Sequence, residues 1–197
     1  MKNFVIGIFA AAALTLMLGS AQAALIDRGG GMIYDNDRNI TWLQDANYAQ
    51  TSGFNATGQM DWNTAMTWAD NLDFGGYTDW RLPHGDGCHI GPCISNELSH
   101  LWYVELGNSE GGPMTNSGSF QNIQPFYYWT DAVQGAGWAS VVNFDSGDVG
   151  HLPFYFLVNA LAVRDGDVVS VPEPSSLMLF GLALAGLGAS SRRQKKA

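Results

Sequence analysis

Between Lys2 and Lys195 the chain has no lysine, and from Ala24 to Val171 only Arg28, Arg38, Arg81 and Arg164 carry positive charge. Set against 17 carboxylates, those four arginines leave this span at 4 − 17 = −13. A surface of that sign repels nucleic acid and anionic polysaccharide and does not settle on an anionic leaflet. It remains compatible with neutral glycans, cations or basic partners. The chain also lacks a Ser-His-Asp order, an HExxH pair and a phosphate-cradling glycine loop, so no catalytic residue is assigned and no enzyme is expected. Acidic residues abound, which leaves room for the carboxylate pair of a glycan hydrolase, but nothing in their spacing singles one out. His151, beside a turn and before Pro153, is a residue type suited to proton transfer near neutral pH, but alone it supports no catalytic role. There is no internal repeat, low-complexity run or second domain boundary, and the aromatic content argues against a disordered spacer.

The two ends are different in kind. Lys2, the apolar run Phe4 to Leu18, and Ala21-Gln22-Ala23 form a secretory signal peptide over 1–23, with cleavage before Ala24. At the other end Val171, Pro172, Glu173, Pro174 and Ser175 precede an apolar stretch over about 176–190, then a basic tail over 192–196. The apolar stretch approaches the length of a membrane helix, and the basic tail is expected to stay cytoplasmic. Pro172 and Pro174 keep the preceding segment extended. This three-part tail, 168–197, resembles the PEP-CTERM sorting signal of Gram-negative bacteria that make exopolysaccharide. The resemblance implies an exosortase as partner, a transient or permanent inner-membrane anchor, and a destination in the cell envelope, on the cell surface or in the extracellular matrix.

The only cysteines are Cys88 and Cys93. In an exported chain such a pair reads as a disulfide closing a small loop. The other readings are a zinc site, because His84, His89 and His100 lie close by in sequence, and a pair of free thiols. No cofactor is otherwise expected. Asp35, Asp37 and Asn39 alternate like a calcium loop, but Ile40 stands where an EF-hand needs glycine and Ala46 where it needs glutamate. A hairpin turn is the better reading.

The middle of the chain centres on Asp61 to Pro83. Trp62, Ala65, Met66, Ala69 and Leu72 fall on one helical face, with Asp61 as N-cap and Gly75-Gly76 as the stop. Asp79, Trp80, Arg81, Leu82 and Pro83 follow as a structural motif, in which Arg81 reads as an internal clamp. Strands are expected at Met32–Tyr34 and Ile40–Leu43, then a polar connection from Gln44 to Met60. A second helix is expected from about Asn96 to Leu106, capped by Ser95, with Leu98, Leu101, Trp102, Glu105 and Leu106 on its stripe and His100 solvated. Asn108 to Phe120 reads as a long surface loop suited to binding. Strands are expected at Phe126–Thr130, Trp138–Phe144, Phe154–Val158 and Leu161–Arg164, with a hairpin turn at Asp145–Asp148.

Several landmarks together resemble the Lcl C-terminal-like domain, a family of unknown function: Met32-Ile-Tyr-Asp35, Ile40-Thr-Trp-Leu43, Gly76-Tyr-Thr-Asp-Trp-Arg-Leu-Pro83, Glu97-Leu98, Tyr128-Trp129-Thr130 and Ala162-Val-Arg-Asp165. The resemblance assigns 24–167 to that domain. It implies an α+β, C-type lectin-like fold with two helices packed on a small twisted antiparallel sheet. The family's named member is an adhesin domain for sulfated glycans, a ligand of the wrong sign for this chain. The sugar motifs of calcium lectins are missing: Phe126 follows Gln124-Pro125, and Trp129-Thr130-Asp131 lacks the asparagine. The expected function is therefore an exported, non-enzymatic adhesion module for a neutral glycan or envelope component. The alternatives are a structural matrix component without a soluble ligand or, third, a glycan hydrolase.

Overall fold

The computed structural model describes residues 25–88 and 91–168. The expected signal peptide with Ala21, Ala23 and Ala24, the sorting motif Val171–Ser175, the apolar stretch and basic tail after it, and His89 lie outside the described residues. No helix among the described residues is long and apolar enough to cross a membrane. The domain is mostly sheet with few helices, an α+β arrangement.

Two sheets form where one was expected. The first has the order β1-β2-β3-β9, from Leu25–Gly29, Met32–Asp35, Ile40–Leu43 and Val163–Asp165, all antiparallel. Its central hairpin is closed by the Asp35 carboxylate, which accepts the Asp37 and Arg38 N–H groups at 3.1 and 3.0 Å. Asn39 completes that turn in the left-handed region, at φ 53°, a conformation asparagine tolerates. The second sheet has the order β4-β8-β5-β6-β7. Its strands are Gln59–Met60 (β4), Tyr127–Val133 (β5), Trp138–Asn143 (β6), Val149–Pro153 (β7) and Val158–Asn159 (β8). The buried run Ala160-Leu161-Ala162 carries the chain from β8 into β9 and so from one sheet to the other.

The helix expected after Asp61 is present as α2, Trp62–Asp70, following a short α1 at Tyr48–Thr51. Asp61 caps α2 by accepting the Thr64 N–H at 3.1 Å and the Thr64 hydroxyl at 2.6 Å, which holds its carboxyl below the usual range. Ala65 and Ala69 are fully buried, and Trp68 joins them although it lies off the expected stripe. Trp62 is only half-buried. It stacks on Phe154 at 4.5 Å and donates from Nε1 to the Thr130 carbonyl at 2.8 Å. The helix ends earlier than expected, with Asn71 as C-cap, which leaves Leu72 outside it, and the chain turns at Gly75 and Gly76, where Phe74 and Tyr77 exchange two backbone hydrogen bonds. Gly75 has φ 65°, and a Cβ there would stand 2.9 Å from the Met32 side chain.

Three expectations need correction. The second helix is α3, Glu97–His100, capped by Asn96 and not by Ser95: Asn96 accepts the Leu98 and Ser99 N–H groups, while the Ser95 hydroxyl donates to Asp86. It continues as a wider π-helical turn, Leu101–Glu105. That change of period defeats a reading based on 3.6 residues per turn, and His100 is buried, not solvated. Phe154–Leu157 is a turn instead of a strand. The tight turn at Asp145–Asp148 sends the chain straight back as β7, pairing Val142 with Val149. Finally, β8 lies parallel to β5, pairing Tyr128 with Asn159.

A clamped motif and a candidate ligand cleft

The Asp79–Pro83 motif crosses between the sheets. Its backbone joins β9, where the Arg81 N–H donates to the Val163 carbonyl at 2.8 Å and the Arg81 carbonyl accepts the Val163 N–H at 2.9 Å. The Arg81 side chain then reaches α3. Nη1 and Nη2 donate to the two Glu97 oxygens at 2.9 and 3.0 Å, and Nε donates to Asp165 at 3.2 Å. Desolvation works against the charged guanidinium, but these carboxylates outweigh it and raise the Arg81 pKa. Asp79 is held by Arg164, with both contacts at 2.8 Å, and the hydrogen bonds depress its carboxyl. Arg164 also lies over the Tyr77 ring, 4.2 Å from its centroid. Trp80 is buried and donates from Nε1 to the Tyr77 carbonyl at 3.1 Å, with Phe74 edge-on to its ring. Two arginines thus fix the chain that leaves α2.

Beside α2 a cleft of about 620 Å³ opens between that helix and the α1 segment. One wall is Tyr48 and Phe54, and the other is Trp68 with Asn63, Thr67, Asn71 and Asp73. Tyr48 is held edge-on to Phe74 at 5.0 Å, so the clamped loop also sets this wall. Phe54 leans on Trp68 at 6.5 Å and is half exposed. The cleft therefore combines aromatic faces with amide and hydroxyl groups, the pairing that small-ligand sites use for affinity and orientation. Asp73 is its single carboxylate.

No sequence feature pointed to this cleft. Its aromatic residues come from a connection read as merely polar and from a tryptophan off the helical stripe. The Asn108–Phe120 segment, expected as a long surface loop suited to binding, is an irregular, mostly exposed loop fastened at its base. Buried Asn108 accepts the Thr115 and Asn116 N–H groups and donates to the Asn116 carbonyl.

Cys88 and Cys93 form a disulfide with a Cα–Cα distance of 5.6 Å. The bond removes the thiolates that a zinc site there needs. His84 is engaged with Asp131, which also accepts the Gly85 N–H at 2.9 Å. Asp35 closes its hairpin turn, as expected, although its side chain is fully buried.

Family models match two parts of the chain: the Lcl C-terminal domain over residues 31–164 and the PEP-CTERM protein-sorting motif over 170–193. No curated protein matches it. The first match covers more than half of the chain and takes in the second sheet, the clamped motif, the cleft and the first sheet apart from β1 and Asp165. The chain belongs to the Lcl C-terminal domain family and is an exported protein whose C-terminal PEP-CTERM signal is addressed to an exosortase.

Proposed function

We propose that this protein is a non-enzymatic binding and adhesion module of a Gram-negative cell envelope or extracellular matrix, which captures a neutral glycan in the cleft beside α2. The observation that carries this reading is the cleft itself. A sugar ring offers an apolar C–H face and a rim of hydroxyls, and Phe54, Tyr48 and Trp68 with Asn63, Asn71 and Thr67 complement both. The domain charge of −13 disfavours sulfated or uronic ligands. Hydrolysis of a glycosidic bond normally takes two carboxylates, whereas Asp73 stands alone in the cleft, which supports binding over catalysis. We take the scaffold to be C-type lectin-like, with the ligand site on the helix side and not at a calcium loop. Arg28 and Asp167 are paired at 2.9 Å, so the two ends of the domain leave together, which suits display from a C-terminal tether.

A glycan array probed with the purified protein, with and without calcium, tests the reading. Neutral glycans should be retained in both conditions, and silence across neutral and acidic sugars alike would remove it. Intact mass of the mature protein from its host should begin at Ala24 and end near Pro172–Ser175 if an exosortase processes it. A structural matrix role without soluble ligand is favoured by a different feature, the exposed turn Tyr155, Phe156 and Leu157. That role predicts self-association in place of glycan retention.

A further inference from the structure

The wider helical turn after α3 sets His100 and Glu105 against the β2–β3 turn. Asp35, His100 and Glu105 each offer a ligand atom, and these atoms lie within 4.8 Å of one another. The Glu105 side chain has 0 % exposure, and among the described residues no group donates a hydrogen bond to either of its oxygens. His100 Nε2 is buried too, 3.4 Å from Glu105 Oε1 and 3.0 Å from Asp37 Oδ2, without hydrogen-bond geometry to either. A buried carboxyl group with no donor is costly, and native structures satisfy such groups with protein, water or an ion. Burial, with Asp35 and Asp37 nearby, pushes the Glu105 carboxyl up to about 7.

We propose that this pocket is a structural site for a zinc-class divalent cation, held by Asp35, His100 and Glu105, with Asp37 closing the half-exposed side. One imidazole nitrogen with carboxylate oxygens suits zinc and its transition-metal neighbours, whereas calcium takes about six to eight oxygens. The bound ion would pin the turn after α3 to the β2–β3 hairpin. At zinc–ligand distances of about 2.1 Å, tetrahedral ligand atoms stand roughly 3.4 Å apart, the spacing that His100 Nε2 and Glu105 Oε1 already have.

Arg38 is the competing cation. Its Nη2 lies 3.1 Å from His100 Nδ1 and also donates to the Ile94 carbonyl. A guanidinium only donates, so Nδ1 accepts, and the neutral ring carries its proton on Nε2. Zinc on Nε2 therefore moves the ring proton to Nδ1 and displaces Arg38 from the imidazole. Removing that guanidinium should tighten the site.

The test is a competition titration of the full chain, stripped by a chelator, with Zn²⁺ at pH 7.5, and with Ca²⁺ and Mg²⁺ as comparators. One Zn²⁺ should bind per chain, tighter than Ca²⁺ and Mg²⁺, and should raise Tm. Glu105→Gln should lose at least about tenfold in zinc affinity, on the order of 1.4 kcal/mol. Arg38→Gln should gain affinity, and His84→Asn, at the separate surface pair, should change nothing. Glu105→Gln keeps the shape and removes an unpaired buried acid, so the metal-free variant should melt at or above the metal-free wild type. Absence of stoichiometric zinc, unchanged affinity in folded Glu105→Gln, or calcium bound as tightly as zinc would each overturn the proposal.

Discussion

Arg81 and Glu97 offer a double-mutant cycle whose outcome follows from their geometry. The Arg81 and Glu97 side chains are 18 % and 9 % exposed, so both charges are largely out of water. Glu97 accepts two bonds from Arg81 and one from the His84 N–H. Arg81→Met leaves that carboxylate buried with a single donor. Stranding one partner of a buried pair costs about 3–5 kcal/mol. In a domain of this size, that lowers Tm by roughly 10–15 °C. Glu97→Leu costs less, about 2–3 kcal/mol, because Arg81 keeps the Leu82 carbonyl and Asp165 as acceptors and is the more exposed of the two partners. In the double variant no charge is stranded, so its loss should fall short of the summed single losses by about 2–3 kcal/mol. Urea denaturation followed by tryptophan fluorescence reads all four corners, since Trp80 and Trp102 are buried. A loss below about 1 kcal/mol for Arg81→Met, or strict additivity in the double variant, would refute the clamp.

Further outcomes follow from other sites. The Asp61 and Asp79 carboxyls are held below their ordinary values by Thr64 and Arg164, respectively. Their contribution is complete above the ordinary carboxylate value and is lost as pH falls through the lowered ones. Asp79→Asn should therefore flatten the acid limb of a stability profile taken by urea melts from pH 6 to 3. Gly147→Ala should destabilise by at least about 1–2 kcal/mol in thermal melts. The residue has φ 80°, and a Cβ there would stand 2.4 Å from Trp102 Nε1 and 2.7 Å from the Tyr103 hydroxyl. Opening the Cys88–Cys93 loop by a double serine substitution should cost about 2 kcal/mol, read in the same melts.

What could be read from the sequence was local. The α2 cap and the β2–β3 hairpin each rest on signals within a few residues and form as expected, whereas α2 ends at Asp70, ahead of the Gly75-Gly76 stop. What could not be read depends on partners distant in sequence. β1 has little apolar alternation and exists because β2 offers it an edge. α1 is four residues long and has no side-chain cap, so nothing nearby announces it. His100 and Glu105 sit five apart, a spacing that places them together only once the helix widens. The aromatic run Phe154–Leu157 has the composition of a strand, yet the tight turn upstream assigns pairing to β7 before the run begins. The cleft was invisible for the same reason: its two walls come from α1 and α2, and their separation is set by the clamped loop beyond both.

Neutral-glycan capture beside α2 comes down to one titration. The full chain and its Phe54→Ala variant are compared for affinity towards the neutral polysaccharide of the producing cell, by electrophoresis through gels containing it. Phe54 is half exposed, so its removal should shift stability little while taking one aromatic wall from the cleft. Retarded migration of the wild type, weakened at least about tenfold in the variant at unchanged Tm, is the expected result. Equal retardation of both proteins, or none of either, would contradict a binding role for this cleft.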